Sequence, residues 1–412
     1  MRTKMSDLQS VFQPNTQAEL AQFVTDNAAN TKRSLQPIGG GTARCEVNAD
    51  NVCEVQLDLL NRVIDFPARD MTITVEAGIR IAELNRILTS ENQRLPIDIP
   101  QAEQATLGGV IATNWSGSRR FGCGTMRDYV IGISAIDASG QRFSAGGRVV
   151  KNVAGYDLCK LLVGSRGTLA IISQVTLKLR PMAETSAVVA LTFDSLSQVD
   201  AVLSRLLTSA TRPMMLDVLG RVGALARPNE GMGKSVHPPV LIVGFEGASR
   251  EIDWQIETLL AECRPFEPRA TESFAGAAAE PLWNTLRDFS MDSKSSVTFK
   301  ASLPPSRTCV LLHLAIEAGI AVQAHAGNGI VIGNLSERVS TADQAIAAIK
   351  PLGELIRSCG GHLTVLRAPN EWSALHVVAD SWAGSLAWTQ RLKRQLDPRN
   401  LLNPGVMAFG PA

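Results

Sequence analysis

Leu35-Gln36-Pro37-Ile38-Gly39-Gly40-Gly41-Thr42 is the stretch on which the reading of this chain turns. A short apolar run feeds three consecutive glycines. Glycine has no Cβ, so a strand ending in three of them can wrap its backbone N–H groups around an anion at little steric cost. Neither common nucleotide motif fits. A Walker A loop needs Gly-Lys-Ser/Thr after its spacer, and no lysine follows. A G-x-G-x-x-G fingerprint needs glycine at position 44, where Arg44 stands. Taken alone, a plain tight turn explains the cluster equally well.

Two further stretches carry the same signature. Thr106 to Gly124 reads TLGGVIATNWSGSRRFGCG, with little side-chain bulk and with Arg119, Arg120 and Arg127 available to offset negative charge. The alternative is a flexible surface loop. Gly155-Tyr156-Asp157 through Gly164-Ser165-Arg166-Gly167-Thr168 again sets glycines before an apolar strand. Three backbone-presenting segments in one region suit a long dinucleotide laid across a domain.

Periodicity around these segments gives an α+β domain. Thr16 and Glu19 form a capping box ahead of an apolar helix face at Leu20, Phe23 and Val24. Met71 to Ala77 alternates as a half-buried strand, and Ile81, Leu84, Ile87 and Leu88 mark a second helix. Val130 to Asp137 and Gln141 to Ser144 read as a hairpin, and Ile171 to Leu179 as a strand stopped by Pro181. From Ser186 the order becomes strand, helix, strand, strand, helix, and it recurs from Val297 to Arg367. That repeat predicts a second domain, one antiparallel sheet of roughly seven strands covered by helices. The expected division is 1–182, 183–370, and a C-terminal segment 371–412 ending in Asn403-Pro404-Gly405.

Composition excludes whole classes. The chain has 412 residues, 45% hydrophobic and 19% charged, which is ordinary for a folded protein of two or three domains. A net charge of +1 leaves no basic field for nucleic acid. Residues 1–14 lack the apolar core of a secretion signal, and no apolar run reaches the ~20 residues that span a bilayer. A cytoplasmic protein is expected. The seven cysteines include no C-x-x-C pair, so disulfides and iron–sulfur ligation are disfavoured. The five histidines form no zinc-hydrolase motif.

Pro37-Ile38-Gly39-Gly40-Gly41-Thr42, Val75-Glu76-Ala77-Gly78, Thr106 to Asn114, Gly164 to Ile172 and Leu402-Asn403-Pro404-Gly405 together resemble the vanillyl-alcohol-oxidase-type (PCMH-type) FAD flavoproteins. The motifs run in family order along nearly the whole chain. Arg148 to Leu162 and Ala324-His325-Ala326-Gly327-Asn328-Gly329 incline the likeness toward flavin subunits of glycolate-oxidising complexes.

The resemblance implies a two-lobed FAD-binding domain followed by an α+β cap domain over the isoalloxazine ring. Ile38, Gly39, Gly40, Gly41 and Thr42 would hold the pyrophosphate. Thr106, Gly108, Gly109, Ala112 and Thr113 would line the phosphate and ribityl path. Gly164, Gly167, Thr168 and Ile172 would lie near the adenine and flavin ends, with Asn403 near the ring. The glycine loop is followed by Arg44 and Cys45 rather than histidine, so noncovalent FAD is expected. Relatives that oxidise hydroxy acids carry G-H-x-G-D-G-N-x-H. Here Asn328 replaces the aspartate and Ile332 the second histidine, so a divalent metal would be poorly held.

Oxidising an α-hydroxy acid requires a base for the hydroxyl proton and a cation for the carboxylate. His325 is the candidate base, and Lys300, Arg287 and Arg367 are candidate carboxylate ligands. Each also has an ordinary structural reading, as a satisfied strand-end histidine or a salt-bridging cation. With no iron–sulfur ligand set in the chain, the resemblance implies partners: a larger catalytic flavoprotein subunit and an iron–sulfur subunit, with glycolate as substrate. Those partners could tie the assembly peripherally to the inner membrane. A self-sufficient 2-hydroxy-acid dehydrogenase and a non-catalytic flavin-holding scaffold are the alternatives.

Overall fold

The computed structural model describes residues 10–43, 47, 51–147, 157–220, 238–292, 294–369, 371, 372, 375 and 386–406. Thr16 caps α1 (Gln17–Asp26) by accepting the Glu19 N–H, while the Glu19 carboxylate takes the Asn15 N–H at 2.8 Å. The helix turns its apolar side onto a parallel sheet of β1 (Val11–Phe12), β2 (Ser34–Ile38) and β3 (Val52–Gln56), ordered β1-β3-β2. Leu20, Val24, Leu35, Val55 and Leu60 close that lobe's core.

The second lobe is antiparallel. It comprises β4 (Val63–Asp65), β5 (Thr72–Glu76), α2 (Ile81–Ser90), β6 (Gln93–Arg94), α3 (Leu107–Thr113), α5 (Met126–Tyr129), β7 (Val130–Ile136), β8 (Arg142–Gly146), α6 (Leu158–Leu162), β9 (Ile171–Lys178) and β10 (Arg180–Pro181), while α4 (Arg120–Cys123), between α3 and α5 in sequence, belongs to the other unit. Five of the strands order as β4-β5-β9-β7-β8, and β6 pairs with β10. Alternation predicted that β5 would leave one face to solvent, but all five of its residues are buried. Its polar face is satisfied internally: the Thr74 hydroxyl meets Thr176 at 2.9 Å, and Glu76 takes two guanidinium bonds from Arg62.

The remaining strands form one antiparallel sheet. Its elements are β11 (Thr185–Thr192), α7 (Leu196–Leu206), β12 (Met215–Gly220), β13 (Val240–Gly247), α8 (Ser249–Cys263), β14 (Ala270–Ala275), α9 (Glu280–Asp288), β15 (Ser295–Ser302), α10 (Thr308–Glu317), β16 (Ala321–His325), β17 (Ile330–Ser336), α11 (Ala342–Ser358) and β18 (His362–Arg367). The sheet has eight strands ordered β14-β11-β13-β12-β16-β17-β15-β18. The eighth strand beyond the expected seven is β14, a largely exposed edge strand with no apolar alternation to reveal it. The order is a palindrome: each βαββαβ half reads outward from β12 or β16, and the halves meet where those two strands pair. The repeat legible in the sequence is therefore a pseudo-two-fold arrangement. One face carries the main core, including Val189, Phe193, Leu241, Phe299, Leu311 and Ile349. The other carries a smaller cluster around Met215, Ile242, Leu282 and Trp283.

The chain divides into two units that are not contiguous in sequence. One comprises Met1–Ser116, Thr125–Met182 and Ala383–Ala412; the other comprises Gly117–Gly124 and Ala183–Trp382. The short excursion at Gly117–Gly124 is pinned within the second unit. The Gly122 N–H donates to the Met214 carbonyl at 3.1 Å, and Arg119 pairs with Glu246 at 2.6 Å while lying over the Trp283 ring. After the second unit, α12 (Leu386–Leu396) packs Leu392 and Leu396 against the antiparallel lobe of the first.

Candidate functional site

Strand β2 delivers the glycine loop to the rim of a cleft in the first unit that opens to solvent and spans about 860 Å³ of empty space, its open mouth included. Gly39 and Gly40 are required by close approach. A Cβ on Gly39 would fall 1.9 Å from the Thr106 hydroxyl, and one on Gly40 would fall 1.6 Å from the Gln104 carbonyl. Gly41 needs glycine for another reason: its φ is +74°, and a Cβ there would stand in open space in the cleft. The N–H groups of Gly40, Gly41 and Thr42 meet no acceptor among the described residues.

The second small-residue segment is a helix at its start rather than a loop. α3 begins beneath the glycine loop, with Leu107 N–H bonded to Ile79 O and Gly108 N–H to Ala77 O at 2.7 Å. A side chain at 108 would collide with Ala77, which is why a glycine interrupts an otherwise apolar helix. Thr106, Gly108, Gly109, Ala112 and Thr113 all face the cleft. The C-terminal end of α3 then receives the third segment: Gly164 N–H donates to Ile111 O and Arg166 N–H to Ala112 O.

Asn403 completes the ring. Its N–H donates to Leu35 O at 2.9 Å, and its Nδ2 donates to Arg166 O at 2.7 Å. Its Oδ1 is buried with no partner among the described residues, and the residue lines the cleft. The contacts thus run from Leu35 through the glycine loop, Thr106, α3 and Arg166 to Asn403, and back to Leu35. Ile38, Gly39 to Thr42, Gly167 and Ile172 line the same space. Gly164 and Thr168 do not; they shape the wall from behind, through bonds to Ile111 and from Lys393. Arg44 and Cys45, and positions 148–156 of the Arg148 to Leu162 stretch, lie outside the described residues.

In the second unit, His325 ends β16 directly opposite Asp217 of β12. His325 Nδ1 lies 2.8 Å from Asp217 Oδ1, and both side chains are buried. The other carboxylate oxygen accepts from the Ser118 hydroxyl at 2.6 Å and from Gln323 Nε2 at 2.7 Å. An ionised carboxylate only accepts, so Nδ1 carries a proton, and in the neutral imidazole Nε2 presents its lone pair. Nε2 is buried and meets no partner among the described residues. Lys300 lies on the same face of the sheet: it registers with Ile332, which registers with Gln323, two residues before His325. Burial, then the Lys300 ammonium, push the His362 imidazole below its ordinary pKa. Arg287 folds back on Asp288 in a two-point pair, and Arg367 donates to the Asp292 carbonyl and the Thr298 hydroxyl. Their guanidinium groups are engaged with the fold.

Asp217, Ser118 and Gln323 escaped the reading of the sequence. An isolated acid in the apolar strand Met215-Leu216-Asp217-Val218-Leu219 was the available signal, because buried carboxylates require partners. Lys393 and Asp397 escaped it too, although their i, i+4 spacing directly precedes Asn403.

The fold and the cleft define an FAD-linked oxidoreductase. This chain belongs to the FAD-linked oxidases: the FAD binding domain family matches residues 8–146, and the family of FAD linked oxidases, C-terminal domain, matches residues 182–365. Glycolate oxidase subunit GlcD of Bacillus subtilis is 24% identical over 421 residues, covering 97% of this chain and 88% of that one. Glycolate oxidase subunit GlcE of Escherichia coli is 36% identical over 125 residues, 30% of this chain and 36% of that one. An alkyldihydroxyacetonephosphate synthase structure shares the fold at a TM-score of 0.67 and 19% identity, over 96% of this chain and 76% of that one.

The cleft residues fit FAD. Unpartnered N–H groups at the glycine loop suit a pyrophosphate, a bare helix and loop leave room for an extended dinucleotide, and a buried carbonyl oxygen at Asn403 awaits a donor. No described helix is long and apolar enough to cross a membrane.

Proposed function

We propose that this chain is the FAD-binding subunit of a glycolate oxidase (glycolate dehydrogenase) complex, supporting oxidation of glycolate to glyoxylate. The observation that carries the reading is the closed ring of contacts around the first unit's cleft, together with the likeness to two glycolate oxidase subunits. In this reading residues 1–182, apart from the excursion at Gly117–Gly124, form the flavin domain, 183–370 the cap, and 371–412 the returning segment. FAD binds noncovalently, through Gly39 to Thr42 at the pyrophosphate, Thr106 to Thr113 along the chain of the cofactor, and Asn403 toward the ring. When bound, the cofactor supplies a two-electron acceptor.

On the cap, His325 Nε2 takes the hydroxyl proton of the 2-hydroxy acid, and Asp217 holds the imidazole in the tautomer that leaves this nitrogen basic. Lys300 offers a cation to the substrate carboxylate. Arg287 and Arg367 stand behind it as further candidates, each already engaged. Electrons pass to a partner subunit, within a complex that includes a larger flavoprotein and an iron–sulfur protein in the cytoplasm.

Purified chain loaded with FAD should retain the flavin through gel filtration, and glycolate should bleach its visible absorbance when the partner subunits are present. Loss of flavin from the native chain would overturn the reading. The Asp217–His325 pair favours one second reading, a self-sufficient FAD-dependent 2-hydroxy-acid dehydrogenase. Glycolate-driven dye reduction by the isolated chain would select it.

A further inference from the structure

Lys393, in the last turn of α12, and Asp397, the residue just after that helix, form a buried ion pair 2.5 Å apart, with Lys393 5% and Asp397 1% exposed. Every polar atom of the pair is used. The ammonium donates to Asp397 Oδ2, to Thr168 O at 2.7 Å and to Leu402 O at 2.8 Å. The carboxylate accepts the Leu401 N–H on Oδ1 and the Leu402 N–H on Oδ2. Removing two charges from water is expensive, and well-packed apolar side chains would fill the space at no electrostatic cost. What they could not do is hold both the N–H and the C=O of Leu402 while tying that residue to Thr168. The fixed residue is the one before Asn403.

Asn403 has a left-handed backbone, with φ at +44°. Leu35 holds its N–H and Arg166 holds its Nδ2, which leaves Oδ1 as the buried, unpartnered atom of a residue that lines the cleft. A left-handed asparagine with only two tethers would be one of several turn conformers. The clasp on Leu402 removes the others.

We propose that Lys393 and Asp397 are positioning residues for the cofactor: they lock the Leu401–Leu402–Asn403 backbone so that Asn403 Oδ1 faces the cleft as an acceptor for a donor group of FAD. The proposal rests on FAD occupying this cleft. It assigns the pair an effect on flavin affinity exerted through Asn403, separate from any effect on folding.

The test uses the full chain stripped of flavin and titrated with FAD, read by quenching of flavin fluorescence, with the melting temperature of each apoprotein as the control for folding. Asn403→Ala should weaken FAD by about tenfold, the usual worth of one buried hydrogen bond. Asp397→Asn should weaken it by a similar factor, because an amide has one acceptor oxygen and cannot take both the Leu401 and the Leu402 N–H as the carboxylate does. The double variant should be no weaker than the weaker single variant, since both changes remove one interaction. Independent effects that multiply would overturn the proposal, as would Asp397→Asn binding FAD like the parent while Asn403→Ala does not. Unchanged affinity in Asn403→Ala would instead remove the placement of FAD beside this residue.

Should Asp397→Asn fail to fold, hydrogen exchange on the parent chain decides. FAD should slow exchange of the Leu401, Leu402 and Asn403 amides at least tenfold, and exchange unaffected by FAD would overturn the proposal.

Discussion

Asp217 and His325 face each other across the central strand pair, at the point where the two βαββαβ halves of the sheet meet. A buried carboxylate 2.8 Å from Nδ1 fixes which imidazole nitrogen is basic. Asp217→Asn keeps the shape of the contact but removes that control. Glycolate-dependent flavin reduction should fall by about 10²-fold or more, while FAD affinity stays at the parental value. Rapid-mixing absorbance and a flavin titration separate the two quantities.

Gly40 and Gly41 are adjacent glycines with different reasons for being there, so alanine should affect them differently. Gly40→Ala places a methyl group on the Gln104 carbonyl and should lower the melting temperature of the apoprotein outright. Gly41→Ala meets no protein atom and carries only the left-handed strain, roughly 1 kcal/mol. Its methyl stands in the cleft, so FAD affinity should drop while the apoprotein stays folded. Calorimetry alongside a flavin titration checks both.

The His362 imidazole is held below its ordinary pKa by burial and by Lys300. The unfolded chain therefore binds the proton more readily than the folded one between the depressed value and the ordinary one, about 6.5. The stabilising contribution is complete above that ordinary value and is lost as pH falls toward the depressed one. His362→Gln should flatten the dependence of melting temperature on pH between 7 and 5, and an unchanged slope would remove His362 from the account.

Burial pushes the thiols of Cys263 and Cys309 up to about 12 and that of Cys159 up to about 11. A thiol must ionise to react, so these three should resist alkylation until the chain unfolds. Cys359 is only partly buried and should label first among the described cysteines. Peptide mapping after timed treatment with iodoacetamide gives the order.

Local chemistry made much of this visible beforehand. The Thr16 cap, the apolar face of α2 and the strand Ile171 to Leu179 are each decided by neighbours within a few residues. The strand-helix repeat was also readable, because each half carries its own periodicity. Other features depend on distant partners. Glu76 looked solvent-facing until Arg62 and the neighbouring strands covered it. Gly108 and Gly109 left a surface loop open as the alternative, yet Ala77 O and Ile79 O anchor a helix there. Asp217 and His325 stand 108 positions apart, and only the pairing of β12 with β16 joins them. The segment Gly117–Gly124 reads as a continuation of the glycine-rich run, but hydrogen bonds donated to Met214, Glu246 and Asp217 draw it into the other unit.

The interleaved order of the two units has a consequence for synthesis. Leu35 emerges early from the ribosome, yet its parallel bridge to Leu402 and its bonds to Leu401 and Asn403 must wait until just over four hundred codons have been read. The larger sheet likewise draws in eight residues translated before the stretch that follows them in the other unit. A nascent chain can therefore finish neither half on its own, and a gene cut at codon 182 should yield two fragments that recover their native melting behaviour only when they are expressed together.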